Sequence, residues 1–199
     1  MMSKVLRPTL CGIALVLLTA PFAIAQERVA LRGTVERVNG AREYQLACSI
    51  VSLTAQFDLE RFVDQHVELQ GVNVGDAARP RILVQSINTT PASLEVNGSG
   101  RLGSVVTVTV RGIAGHPVAV FFAGTPGYQP IQGGAFLLGR ILPAIATGVI
   151  PASGELPFRF MVPSNGRLIG QRFFAQAVLG GSSGGRFELS GPDCIDITQ

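Results

Sequence analysis

The stretch Ser104-Val105-Val106-Thr107-Val108-Thr109-Val110-Arg111 decides the fold. Val106, Val108 and Val110 alternate with Thr107 and Thr109, the period-two pattern of a half-buried strand. Its β-branched residues suit a pleated surface. The same reading extends outward from it. Val118 to Ala123 is apolar throughout, as in a central strand covered on both faces. Leu156, Phe158, Phe160 and Val162 share one parity over Glu155 to Val162, and Phe173, Ala175, Ala177 and Leu179 share one over Arg172 to Leu179. Arg186 to Ser190 and Cys194 to Thr198 read as further short strands. Over residues 91–199 this series, punctuated by Gly and Pro, predicts a β-sandwich of immunoglobulin-like size. No Trp is present, so the architecture is expected without the Cys-Trp-Cys hallmark of true immunoglobulin domains. Gly124 to Ile150 is Gly- and Pro-rich yet apolar, and a loop of that composition must pack on something.

Upstream the pattern changes. Leu31, Gly33 and Val35 alternate with Arg32, Thr34 and Glu36 in a strand that ends at the Asn39-Gly40 turn signal. Strands are expected at Glu43 to Cys48 and Ile50 to Phe57, and Asp58 is placed to cap a short helix, Leu59 to Gln65. From His66 to Val74 the apolar parity switches after Gly71, which predicts a β-bulge there. Arg81 to Ile87 supplies the last strand. Three strands, a short helix and two strands are the element order of a small OB-like barrel. Asn88-Thr89-Thr90-Pro91-Ala92 reads as a linker, giving domains at residues 26–90 and 91–199. The predicted class is therefore all-β: an OB-like barrel with one short helix, followed by an immunoglobulin-like β-sandwich.

Residues 1–25 read as an export signal. Lys4 and Arg7 precede the apolar run Cys11 to Ala20, and Ala23-Ile24-Ala25 supplies the small-x-small cleavage pattern. The run is broken by Pro21 before it reaches membrane-spanning length, so no transmembrane segment is expected in the mature chain. Export leaves Cys48 and Cys194 in an oxidising compartment, either as a disulfide joining the two domains or as two buried small hydrophobes. The full chain of 199 residues carries a formal net charge of +3, of which the signal accounts for two cations. So small a balance gives no electrostatic basis for binding nucleic acid.

The stretches Gly103 to Val110, Gly115-His116-Pro117-Val118-Ala119-Val120, Gly154-Glu155-Leu156-Pro157-Phe158, Val162-Pro163 and Gly170 to Ala177 together resemble a β-sandwich module at the ends of exported bacterial proteins of unknown function. The first part, with Leu31-x-Gly33-Thr34-Val35 and Phe62-Val63-x-x-x-Val67-Glu68-Leu69-x-Gly71, is similar to the small OB-like domain often placed ahead of that module. The resemblance implies fold and export; it implies no chemistry.

Catalytic and cofactor motifs lack their contexts. Gly98 to Gly103 matches GxGxxG, but a Val/Thr strand follows where the pyrophosphate would need a helix N-terminus. Gly181 to Gly185 matches GxSxG, but no His lies beyond residue 116. His66, His116, Cys48 and Cys194 show no chelating spacing, so no metal is expected, nor any cofactor. The histidines are expected as solvated turn residues. Asp193 and Asp196, three apart on a strand, point to opposite faces. The reading is of a non-catalytic exported protein, periplasmic, cell-surface or extracellular, serving as a structural or interaction module with an envelope protein or polysaccharide as partner. The alternatives are a carbohydrate or small-ligand binding protein acting through Tyr128 and Phe136, and, behind it, a hydrolase.

Overall fold

A computed structural model describes residues 28–38, 42–131, 134–140, 143–181 and 187–199. The expected export signal, the expected Asn39-Gly40 turn and Ser182 to Arg186 lie outside them. The described chain is all-β, with two single 3-10 turns as its helical content.

The first strand, β1 (Arg28–Val38), buries Val29, Leu31, Gly33 and Val35 in strict alternation. Its length lets it serve two neighbours. Arg28 to Thr34 pair antiparallel with β4 (His66–Asn73), and Val35 to Val38 pair with β2 (Glu43–Leu46). With β3 (Ser52–Ala55) and β5 (Arg81–Thr89), the order β1-β2-β3-β5-β4 closes into a barrel in which β3 and β5 run parallel.

Two local expectations are revised here. The predicted helix Leu59 to Gln65 is a single 3-10 turn, Glu60–Phe62, entered through Glu60 N–H donating to Asp58 Oδ1 at 3.0 Å. A second turn does not form because β1 takes its backbone: Asp64 N–H donates to Val35 O, and Val35 N–H donates to Gln65 O. Asp64 is itself left-handed, φ 61°, which ends any helix. The bulge is present where Gly71 announced it, but the extra residue sits across the ladder. Gln70 faces Ser86 and Gly71 faces Val84, so Gln85 of β5 is the unpaired one. A Cβ on Gly71 would lie 2.5 Å from Leu83 O, so glycine is required for β5 to approach this closely.

Beyond the link at Thr90 to Ser93, three strands, β12 (Glu155–Met161), β7 (Val105–Arg111) and β6 (Leu94–Asn97), form one sheet. It faces a second sheet of β11 (Ala146–Val149), β8 (Pro117–Ala123), β13 (Arg172–Leu179) and β14 (Glu188–Leu189), with β15 (Asp193–Asp196) pairing the first half of β13. Between the sheets pack Val108, Val110, Val118, Val120, Ala175, Ala177 and Leu179, with Leu156, Phe158 and Phe160 alongside. Phe122 meets Phe160 edge to face at 5.1 Å.

Gly124 to Ile150 is more ordered than the expected loop. It contains β11 and a hairpin of β9 (Pro126–Ile131) and β10 (Gly134–Leu138). Gly127, Pro126 and Pro130 hide these strands from a propensity reading. The hairpin supplies what the apolar composition demanded, since Tyr128, Ala135 and Leu137 lie in the hydrophobic cluster of the barrel. On its other side, Leu138 packs with Ala123 and Phe174 of the sandwich. The molecule thus has a middle layer lent by the second half of the chain to the core of the first. Leu137 is 1% exposed. Leu137→Ala is expected to lower stability by about 2–5 kcal/mol, read by urea denaturation with fluorescence and far-UV dichroism shifting together. A loss below about 1 kcal/mol would contradict its place in the barrel core.

Candidate functional site

The structure joins Cys48 and Cys194 in a disulfide, with the Cα atoms 5.7 Å apart across 146 residues of sequence. Cys48 turns the chain after β2 through a left-handed φ of 56°. Cys194 lies on β15, and both sulfurs pack beside Ala123, Leu138 and Phe174. A bonded pair offers no thiolate to a metal. Among the described residues, no three His, Cys, Asp or Glu side chains gather in a way that could hold one.

Tyr128 and Phe136 do not come together as a binding platform. Tyr128 is 6% exposed and belongs to the barrel's core, so its ring presents no face to a ligand. Phe136 is half-buried and meets Phe121 of β8 edge to face at 5.5 Å. One ring faces the barrel and the other the sandwich; both hold the hairpin in place.

What positions the hairpin is a buried amide. Gln176 of β13 is 1% exposed. Its Oε1 accepts from Leu137 N–H at 2.8 Å, and its Nε2 donates to Ser190 O at 2.9 Å and to Ala135 O at 3.5 Å. Ser190, equally buried, accepts from Ala177 N–H at 2.8 Å and donates to Gly191 O at 2.7 Å. Next to it, a Cβ on Gly191 would lie 2.8 Å from Gly33 Cα, so the segment after β14 rests directly on β1. Gln176 was legible as the one polar residue in Phe-Phe-Ala-Gln-Ala-Val-Leu, on the face opposite the aligned Ala175, Ala177 and Leu179.

Where this clamp ends, a cleft of about 290 Å³ opens between β1, β4, the hairpin tip and β14. Arg32 and Glu68 face each other across the β1–β4 ladder. The Arg32 Nε and Nη2 groups both donate to Glu68 Oε2, at 3.1 and 2.9 Å, and Nη1 reaches Glu188 Oε2 at 2.9 Å. Burial pulls the Arg32 pKa down, but hydrogen bonds and charge from Glu188 and Glu68 outweigh it and the net displacement is upward. Phe187, 72% exposed, and Ile131, 39% exposed, form the rim. A neighbouring cleft of about 250 Å³, walled by Arg111 and His116, shares Arg32 and Glu188 with the first.

His66 is no solvated turn residue. It opens β4, half-buried, with Nδ1 3.5 Å from Thr34 Oγ1 and Nε2 buried without a partner. Burial, aided by the charge of Arg32, pushes its pKa down. His116 leads into β8 from the preceding turn. Asp193 and Asp196 take different roles. Asp193 accepts from Val96 N–H at 2.7 Å and Cys194 N–H at 2.8 Å, closing one end of the sandwich, and burial pushes its pKa up against those bonds. Asp196 forms a two-pronged pair with Arg172, which holds its pKa down. Gly98 to Gly103 connects β6 to β7, strand to strand, and most of the Gly181 to Gly185 motif lies outside the described residues.

No family model matches the chain, and comparison with curated proteins and with solved structures finds no match. No helix among the described residues is long and apolar enough to cross a membrane.

Two predictions follow from this junction. His66 has a lowered folded pKa, so the fold keeps it neutral. Its contribution is whole above the unfolded value of about 6.5 and is lost as pH falls, because the unfolded chain then takes up a proton that the fold refuses. Stability should decline as pH falls below about 6.5, and His66→Gln should flatten that decline in urea titrations; equal slopes would contradict it. Reduction of Cys48–Cys194 should lower the melting temperature by at least about 5 °C, with ~5 kcal/mol as the upper bound for so long a loop. A shift under about 1 °C would show that the bond constrains nothing the packing does not already hold.

Proposed function

We propose that the chain is a non-catalytic exported protein, a structural or interaction module at the cell envelope or outside it. The observation that carries this reading is the Cys48–Cys194 disulfide, which ties the barrel to the last strand of the chain. Such bonds persist in oxidising compartments and are uncommon in reducing ones. The signal-like residues 1–25 point the same way.

The barrel's strand order, with its parallel β3–β5 pair and short turn between β3 and β4, supports the OB-like reading, and the two facing sheets support the immunoglobulin-like one. As an OB-like domain the barrel is an adaptor. Phe62 is buried in its core, and Tyr44 and Phe57 pack against that core, which leaves the barrel without an aromatic row for stacking bases. Residues 26–90 hold seven Arg and eight carboxylates, a balance unsuited to tracking a phosphate backbone. The interaction surface then falls to the sandwich and the junction. There Phe187 and Val149, 72% and 58% exposed, flank a groove of about 450 Å³ with almost wholly apolar walls.

Sedimentation of purified residues 26–199 with isolated bacterial envelopes tests the proposal. Binding is expected to saturate and to be displaced by excess unlabelled protein. Retention that rises linearly throughout the titration, with no displacement, would sink it.

A further inference from the structure

We infer that the barrel–sandwich junction is a groove for an extended, uncharged polysaccharide chain, with Phe187 as its stacking platform. The inference rests on the interaction-module reading and names the partner. Three concavities meet around β14. The clefts of about 290 and 250 Å³ share Arg32 and Glu188, and the apolar groove on the outer face of β8 and β11 shares Phe187 with the first of them. Hollows joined through common walls suit a long ligand better than a compact one.

The chemistry along that path is mixed in a particular way. Phe187 offers an open aromatic face beside a fixed array of planar polar groups. A pyranose ring has the complementary construction, with C–H groups on its faces to cover an aromatic ring and hydroxyls around its edge to meet planar donors and acceptors. Arg32 engages Oε2 of both Glu68 and Glu188. That leaves Oε1 of each carboxylate outside the ion pair, held in place by the pairing of its neighbour. Groups fixed before binding lose little freedom on binding. The exposed Gln70 amide adds a donor and an acceptor on the same wall.

Charge and backbone narrow the choice of ligand. Across the two clefts Arg32 and Arg111 balance Glu68 and Glu188, which gives acidic and basic polymers alike no net attraction. An extended peptide would seek a free strand edge for its own backbone. Of the strands at the cleft, β14 spans only Glu188–Leu189, and β10 already spends Leu137 N–H and Ala135 O on Gln176.

Co-sedimentation of residues 26–199 with cellulose, chitin and an insoluble β-1,3-glucan, over a protein titration, tests the inference. Saturable binding to at least one polymer is expected, weakened at least about tenfold by Phe187→Ala and by Gln70→Ala. Both positions are exposed, so melting temperatures should not move. The inference fails if none of the three polymers binds saturably, or if both variants bind as the parent does. Saturable envelope binding without binding to any of the polymers, or envelope binding abolished by protease treatment of the envelopes, would keep the interaction module and remove the polysaccharide groove. Failure to bind either envelopes or polymers would remove both.

Discussion

The buried amide of Gln176 is the contact on which the arrangement of the two halves depends. A polar side chain 1% exposed in an apolar strand is tolerable because its bonds to Leu137, Ser190 and Ala135 replace those it would make to water. The same bonds satisfy backbone groups of β10 and of the segment after β14, which no strand partner supplies at those atoms. A leucine of similar volume would leave Leu137 N–H and Ser190 C=O without their partner, at about 1–3 kcal/mol for each buried group. Hydrophobic burial alone would accept the hairpin in several positions along the outer face of β13. The amide accepts it in one, and so fixes which of its side chains enter the barrel.

Alternation reveals a strand when one face is buried and the other is not, and the legible parts of this fold are of that kind. Val106, Val108 and Val110, and Leu156, Phe158 and Phe160, lie on the faces their parity assigned. The same rule is silent for a strand buried on both faces. On β13, Ala175, Ala177 and Leu179 face the sandwich core as read, while Phe174 and Gln176 are buried against the hairpin on the other side. The hairpin was illegible for the opposite reason, because Pro126, Gly127 and Pro130 carry turn chemistry into β9 and tertiary packing overrides it. The helix at Leu59 was lost to backbone bonds that Val35 makes with Asp64 and Gln65, 29 and 30 residues away in sequence. The candidate site suffered from both effects. Tyr128 and Phe136 stood out as aromatics in a Gly-rich stretch, yet burial there serves packing, while Phe187 lay unmarked in a run read as an ordinary strand.

Arginine supplies the surface order. Arg32, Arg111 and Arg172 each hold carboxylates on neighbouring strands, Arg111 reaching Glu95 and Glu155 on either side of β7. The planar fork of guanidinium suits such double engagement, which an ammonium would make less well. Exposed pairs of this kind contribute about 0–1 kcal/mol each, so their value lies in register more than in stability. Arg32 differs from the others in joining the halves, since Glu188 belongs to the second and Glu68 to the first.

The attachments of the hairpin fall in sequence along β10. At Leu138 the disulfide packs against it, through Leu137 and Ala135 Gln176 holds it, and at Gly134 it rests near Ala30 O of β1. Packing on the disulfide, buried hydrogen bonds and simple contact succeed one another from base to tip. The cleft opens toward the tip, beside the Arg32 pairs, with Gln176 and Ser190 on its wall. A fold built in this order keeps its core closed while leaving its most adaptable concavity at the surface, and local motions with the lowest free energy are expected where such attachments are fewest. The groups that would meet a ligand therefore sit at the edge of a rigid frame, close enough to the clamp to be positioned by it and far enough from it to remain accessible.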